Sequence, residues 1–305
     1  MSVDRSNPIL ILSNPRSGSS LLRIMLSNHP DITIPPEAGF GQWLYGEFSE
    51  WSEKSSQNEE RISQYIDKLR ATRKIETWGL DYNQLHDSIL LECPINYADL
   101  TKLVYKSYVI KLGKNFDRWG DKNNFFVRHL PLMNSIFGRP FVLGIIRDGR
   151  DVAVSYRALR IENNTSKYFP ILPHNIEDIA LEWEKNNSNI IRYMDSIAPE
   201  LSMWIRYEDL VENPDLTLKN ICKKVNIEFS GSMLEYTRSV ENSIEPPEFL
   251  QWKKNLLIGP TTKEIGKYTR ELTKIELLSF ESIGKHILNR FNYQTEITGS
   301  LRGSQ

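Results

Sequence analysis

The residues best suited to chemistry fall in two short runs. The first, Ser13-Asn14-Pro15-Arg16-Ser17-Gly18-Ser19-Ser20, sets one full positive charge among hydroxyls and a glycine. Placed between a strand and a helix, such a loop aims several backbone N–H groups at one spot, together with the hydroxyls of Ser17, Ser19 and Ser20 and the positive end of the helix dipole. A phosphate or a sulfate is the natural occupant. The alternative is a plain Gly/Ser turn. The second run, Arg147-Asp148-Gly149-Arg150-Asp151, is followed one turn later by Ser155. Two arginines at the carboxyl end of a strand match a second phosphate, and the alternative is an ion-pair cluster among Arg147, Asp148, Arg150 and Asp151. Two single residues join the list: Glu37, on a loop after Pro35-Pro36, and Lys122, in Arg118-Trp119-Gly120-Asp121-Lys122. By themselves they read as a solvated loop carboxylate and a surface lysine.

The elements around these residues follow from hydrophobic spacing. Ile9–Leu12 is an apolar run of strand length, and Leu21, Leu22, Met25 and Leu26 recur at helical spacing. Ile32-Thr33-Ile34 reads as a second short strand, which puts Glu37 on the same sheet edge as the first loop. The aromatic-rich stretch from Gly39 to Trp51 reads as loop, lining a substrate pocket or forming satellite core. Helices are expected over Glu59–Ile75, Tyr82–Leu91 and Tyr97–Leu112, making residues 38–120 a helical insertion suited to acceptor specificity. Arg118–Asn124 is a short strand or turn, and a helix is expected over Phe126–Phe137. Phe141–Ile146 is the clearest buried strand, and the helix after it can be capped by Asp148 or Asp151. A helix over Ile176–Met194 and a strand over Leu201–Arg206 run into Tyr207-Glu208-Asp209. A short helix over Leu216–Val225 follows. Gln251–Tyr268 is basic and turn-rich, a loop suited to fold over a ligand, and a last helix spans Leu272–Leu288.

Composition bounds the function. The chain has 305 residues, 40% of them apolar, and 38 Lys plus Arg against 39 Asp plus Glu. A near-neutral balance argues against non-specific nucleic-acid or membrane-surface binding, so an anion site must be built locally. Cys93 and Cys222 stand far apart without ligand spacing, which disfavours a disulfide framework and a structural zinc. With no apolar run of membrane-spanning length and no signal peptide, a cytoplasmic protein is expected. Residues 1–297 read as one domain and 298–305 as a disordered tail.

Four separated segments carry a resemblance. Pro15-Arg-Ser-Gly-Ser-Ser-Leu-Leu22, Ile145-Ile-Arg-Asp-Gly-Arg-Asp-Val-Ala-Val-Ser155-Tyr, Ile205-Arg-Tyr-Glu-Asp-Leu210 and Gly266-Lys267-Tyr268 resemble the sulfotransferases that use 3′-phosphoadenosine-5′-phosphosulfate (PAPS). The tyrosylprotein and carbohydrate branch is the nearest. The resemblance spans about Ile9 to Tyr293 and is weakest from Phe40 to Lys114. It implies a P-loop-like three-layer α/β/α fold with a central, mostly parallel sheet and a helical insertion.

The resemblance also implies roles. Arg16, Ser17, Gly18, Ser19 and Ser20 match the loop for the 5′-phosphosulfate, Arg147 and Ser155 the pair for the 3′-phosphate, and Tyr207 the adenosine-side tyrosine. Lys267, with the loop from Trp252 to Thr261, matches the segment that closes over the nucleotide. Glu37 matches the general base, and Lys122 a lysine set against the transferring group. The family often has Thr-Pro or Ser-Pro after that lysine, where this chain has Asn123-Asn124. Transfer would then rest on positioned cations, Arg16 and Lys122, with Glu37 taking the acceptor hydroxyl's proton and adenosine 3′,5′-bisphosphate released. No metal is implied, since these side chains carry the charge that Mg²⁺ carries in kinases. A P-loop kinase is the competing enzyme, but the first loop lacks the lysine of G-x-x-x-x-G-K-[ST]. A non-catalytic nucleotide-binding protein on the same scaffold is the other alternative.

Overall fold

Five strands set the positions of all the residues singled out above. In the computed structural model, which describes residues 7–159, 166–237 and 245–296, β1 is Ile9–Leu12, β2 Ile32–Thr33, β3 Arg118–Lys122, β4 Phe141–Ile146 and β5 Ser202–Arg206. They form one sheet in the order β2-β3-β1-β4-β5, and every neighbouring pair is parallel. All five carboxyl ends therefore open on one edge. The loop from Ser13, the segment leading to Glu37, Lys122, Arg147 and Tyr207 all emerge there, where open α/β sheets bind ligands.

Both faces of the sheet are covered, which is why β1 and β4 are continuous apolar runs. Their side chains alternate between layers with the period of 2 expected of a strand. Ile9, Ile11, Phe141, Leu143 and Ile145 pack with Leu22 and Met25 of the Ser19–Ser27 helix and with Leu218 and Ile221 of the Pro214–Lys224 helix. Leu10, Leu12 and Val142 face the opposite layer, built mostly from the insertion: Phe40, Tyr65, Trp78, Tyr105 and their neighbours. Ile146 continues that face against Trp183 of the Ile176–Ser196 helix and Phe280 and Ile287 of the Lys274–Arg290 helix. The three-layer α/β/α arrangement with a parallel sheet is the one expected from the sequence.

Local differences have local causes. The aromatic stretch is a helix, Phe40–Phe48, and Phe40, Phe48 and Trp51 belong to the insertion's core rather than to a pocket. The helix expected over Phe126–Phe137 is broken into two 3₁₀ turns and a short helix, Met133–Phe137, because Pro131 has no N–H to continue one. The helix beginning at Glu59 stops at Arg70 rather than Ile75. Lys74 then takes a left-handed φ of 76° and leads the 3₁₀ turn Ile75–Trp78. The last helix starts at Lys274, fixed by a capping box between Thr273 and Glu276. The expected tail at 298–305 lies outside the described residues. Among the described residues no helix is long and apolar enough to cross a membrane.

Candidate functional site

The first loop has the shape its sequence implies. Gly18 has φ 91°, and a Cβ there would lie 2.4 Å from Cδ2 of Tyr207, so only glycine fits both the backbone and the neighbour. Arg16 also sits in the left-handed region, at φ 65°. The Ser19–Ser27 helix starts from Gly18 with no side-chain cap. Its first N–H groups therefore face the cavity that Gly18, Ser19, Ser20 and Leu21 line. Ser17 is fully buried, its hydroxyl without a partner among the described residues, and does not line the cavity.

The second run resolves into two parts. Arg150 forms the ion-pair cluster: it reaches both oxygens of Asp148, donates to Glu281 at 2.7 Å, and lies beneath the Tyr268 ring. Asp148 also caps the Gly149–Arg157 helix by accepting from the Arg150 N–H. Asp151 does not cap. It accepts from the N–H groups of Gly266 and Tyr268 and so ties the late segment to this helix. Arg147 stays apart from these carboxylates and lines the cavity, its guanidinium 4.5 Å from the Tyr207 ring centroid. It donates to the carbonyls of Arg16 (3.2 Å) and Glu264 (2.7 Å), while its buried Nε has no partner among the described residues.

Arg16 crosses the same space. Its Nε donates to the Ser155 hydroxyl at 3.1 Å and a terminal nitrogen to the Trp252 carbonyl at 3.0 Å. Burial, and then the neighbouring Arg147, lower its pKa to about 10. Two arginines held this close, with few carboxylates to pair them, are stabilised by a bound anion.

Glu37 is the centre of a second group. Its Oε2 accepts from Lys74 Nζ at 2.9 Å, and its Oε1 accepts from the Asn124 N–H at 3.1 Å. Lys122 Nζ lies 3.6 Å from Oε1 and is itself buried. Burial pushes the carboxyl's pKa up, but Lys122, Lys74 and Lys253 outweigh it and hold the group well below the usual carboxylate range. Lys253 is paired with Glu245, which also binds Arg23. Burial, against the pull of Glu245, leaves the Lys253 pKa at about 8. Beside Lys122, Asp121 accepts from the Tyr105 hydroxyl, and burial raises it to about 7.

One cavity brings most of the expected residues together: Arg16, Gly18, Ser19, Ser20, Glu37, Lys122, Arg147, Ser155 and Tyr207 all line it. Among the described residues, its walls carry five cations, Arg16, Lys74, Lys122, Arg147 and Lys253, against two carboxylates, Glu37 and Glu264. Lys267 is not among them. It pairs with Glu264 at 2.7 Å on its own short turn and lies outside the cavity lining, in contrast with the expectation that it meets the nucleotide. Of the Trp252–Thr261 loop, Trp252, Lys253, Leu256, Gly259, Pro260 and Thr261 reach the cavity. Three charged contributors were not visible in the sequence: Lys74, Lys253 as a charge near Glu37, and Glu264. Nothing in its local sequence distinguishes Lys74 from a surface residue, whereas Lys253 and Glu264 lie in the late loop expected to fold over a ligand. Asn123 and Asn124 do have a local role. The Asn123 side chain accepts from the Phe125 N–H and donates to the Ala38 carbonyl, while Asn124 offers its N–H to Glu37 and its side-chain oxygen to Ser13. Among the described residues, no group of three or more His, Cys, Asp and Glu stands together as a metal site.

Comparison with known proteins follows the same outline. A model described as the sulfotransferase family matches residues 8–231. The chain is 20% identical over 242 residues to protein-tyrosine sulfotransferase A of Caenorhabditis elegans, a match covering 79% of this chain and 56% of that protein. The chain thus spans little more than half the length of that relative. Among solved structures, the sulfotransferase domain of the Synechococcus PCC 7002 olefin synthase aligns with a TM-score of 0.57 and 21% identity, covering 94% of this chain and 96% of that one. The sulfotransferase domain of the curacin biosynthetic pathway aligns with a TM-score of 0.53 and 18% identity, covering 97% and 100%. Both share the fold described above.

Proposed function

The chain belongs to the sulfotransferase family, and from that premise we propose that it moves the sulfonyl group of PAPS to a hydroxyl acceptor and releases adenosine 3′,5′-bisphosphate. The observation that carries the reading is the cavity's charge: among the described residues, five cations face two carboxylates beside an uncapped helix N-terminus, and the buried Nε of Arg147 is unpaired. Such a site favours a ligand with more than one anionic group. A bisphosphorylated nucleotide fits both halves. The Gly18–Ser20 turn with Arg16 would hold the 5′ end, and Arg147 with Ser155 the 3′-phosphate, with the Tyr207 ring packed behind Arg147.

The chemistry asked of this chain is modest. As the bond from sulfur to the leaving phosphate oxygen breaks and the bond to the acceptor oxygen forms, negative charge grows on the leaving side. On this reading Lys122 and Arg16 meet it. The acceptor's proton goes to Glu37, which is ionised throughout the physiological range. A carboxylate surrounded by three ammonium groups is a weak base, and its basicity rises as Lys122 turns toward the transferring group.

The test is a thermal shift, because a ligand that binds only the folded chain raises its melting temperature. Adenosine 3′,5′-bisphosphate should stabilise the protein by several degrees more than ATP with Mg²⁺. Equal or reversed shifts would sink the reading. The acceptor is then found by a PAPS-dependent screen of phenols, sugars, alcohols and peptides read by mass spectrometry.

A further inference from the structure

The structure assigns a positioning role to Lys74, on the reading that Glu37 is the base of sulfonyl transfer: we infer that this lysine, supplied by the helical insertion, aims and holds the Glu37 carboxylate. The assignment rests first on how the two oxygens of Glu37 are shared. Among the described residues, Oε2 takes its hydrogen bond from Lys74, at 2.9 Å. Oε1 accepts from the Asn124 N–H at 3.1 Å, while Lys122 stands off at 3.6 Å. The cation with a proposed part in the transfer is thus only loosely engaged with the base. Lys122 is free to turn to the sulfonyl group without releasing the carboxylate, because Lys74 and a backbone N–H keep it in place.

The second support is the backbone that carries Lys74. The residue has a left-handed φ of 76°, uncommon for a side chain with a Cβ, at the start of the 3₁₀ turn Ile75–Trp78. Surrounding contacts determine that conformation. The Lys74 carbonyl accepts from the Thr77 N–H and hydroxyl, and the indole N–H of Trp78 donates to the Pro36 carbonyl at 2.9 Å. The turn bearing the lysine is therefore stitched to the segment bearing the carboxylate, through Trp78, four residues after Lys74, and Pro36, next to Glu37. The Lys74 side chain is also largely enclosed, 11% exposed, with its ammonium 5.3 Å from the Phe249 ring centroid.

Every charged group facing Glu37 bears on its protonation. These are Lys74 from the insertion, Lys122 and Asp121 from β3, and Lys253, with Glu245 behind it, from the late segment. Removing Lys74 leaves the carboxylate with one loosely placed lysine, a second lysine committed to Glu245, and the full cost of burial. Glu37 then protonates at higher pH and loses a fixed orientation, and the proton of the acceptor hydroxyl has a poorer place to go.

The experiment compares the wild type with Lys74→Met and Lys74→Arg, using PAPS with water and with the hydroxyl panel as acceptors. The expected result for Lys74→Met is a kcat lower by about tenfold with the KM for PAPS little changed. The acidic limb of kcat/KM should move up by about one pH unit or more, and Lys74→Arg should restore most of both. Folding is checked separately: the melting-temperature rise with adenosine 3′,5′-bisphosphate should match the wild type, and Lys74→Gln replaces Lys74→Met if it does not. An unmoved pH profile, whatever happens to kcat, overturns the positioning role and leaves the sulfotransferase reading standing. A wild-type protein that binds no bisphosphate, or turns over no PAPS, overturns that reading and this inference with it.

Discussion

The cavity has two halves made in different ways. The half around Arg16, Gly18, Arg147 and Ser155 is assembled from two strand-loop-helix units on neighbouring strands, each contributing residues within about a dozen positions of one another. The half around Glu37 draws single residues from the end of β2, the insertion, β3 and the late segment: Glu37, Lys74, Lys122 and Lys253. The first half is a local device repeated twice, so its geometry follows from two short sequences. The second exists only once the insertion and the late segment have packed. Ligand binding by the first half can therefore survive changes that dismantle the half around Glu37.

The largest expected effect tests that separation directly. Lys122→Ala removes the buried cation 3.6 Å from Glu37 and, on the proposed mechanism, the one that meets developing charge. Turnover should fall by about 10²–10³-fold, the loss typical for one preorganised donor. The melting-temperature rise with adenosine 3′,5′-bisphosphate should persist. If the nucleotide shift vanishes as well, the two halves are one unit and the comparison fails. Arg147→Ala is the converse. It removes a charge whose proposed partner phosphate is unchanged during transfer, so KM for PAPS should rise by about 10–100-fold with kcat little altered, as for loss of charge-assisted hydrogen bonds. A loss confined to kcat would move Arg147 into the other half.

The same division explains what was readable from the sequence. The buried strands β1 and β4 and the loops after them followed from apolar runs punctuated by turn residues, because strands buried on two faces leave that signature, while the mostly parallel sheet was implied by the family resemblance. Arg150 and Arg147 look equivalent in the sequence, and the structure separates them: Asp148 and Glu281 on the last helix pair Arg150, whereas Arg147 donates to two backbone carbonyls. Glu37 and Lys122 stood out through family resemblance, not through their neighbours in the chain. Lys74 had no signal at all. It follows a helix whose charged residues are mostly solvated, and its partner is fixed by a left-handed turn and a Trp78 hydrogen bond that no periodicity encodes. The broken helix at Pro131 was a signal present and not used.

A smaller effect probes the electrostatics of the Glu37 half. Burial holds the Asp121 carboxyl up to about 7, with the Tyr105 hydroxyl and the backbone opposing it and Glu37 adding to it. An unfolded aspartate releases its proton near pH 4. Between about pH 4 and 7 the folded chain thus keeps a proton that the unfolded chain has lost, so stability falls as pH rises through that window. Asp121→Asn should remove this slope, and melting curves across pH 4 to 8 would show it. A slope unchanged in the variant assigns it to other groups, with Glu208 and Asp151, both raised by burial, next in line.

The smallest expected effect is also the sharpest boundary between the halves and the surface around them. Lys267 has the sequence position of a nucleotide contact, yet it lies outside the cavity lining and pairs with Glu264 three residues away. What the late segment brings to Arg147 is the Glu264 carbonyl, and the segment is held by Asp151 through the N–H groups of Gly266 and Tyr268. None of these contacts uses the Lys267 side chain. A partly exposed pair of this kind contributes little to stability. Lys267→Ala should therefore leave the bisphosphate-induced shift and the KM for PAPS within about twofold of wild type. Asp151→Asn, which weakens the acceptor for both N–H groups, should cost more than Lys267→Ala. If Lys267→Ala costs tenfold instead, the late segment turns its lysine inward when the nucleotide binds, and the binding half extends beyond the two local loops to a third, distant piece of chain.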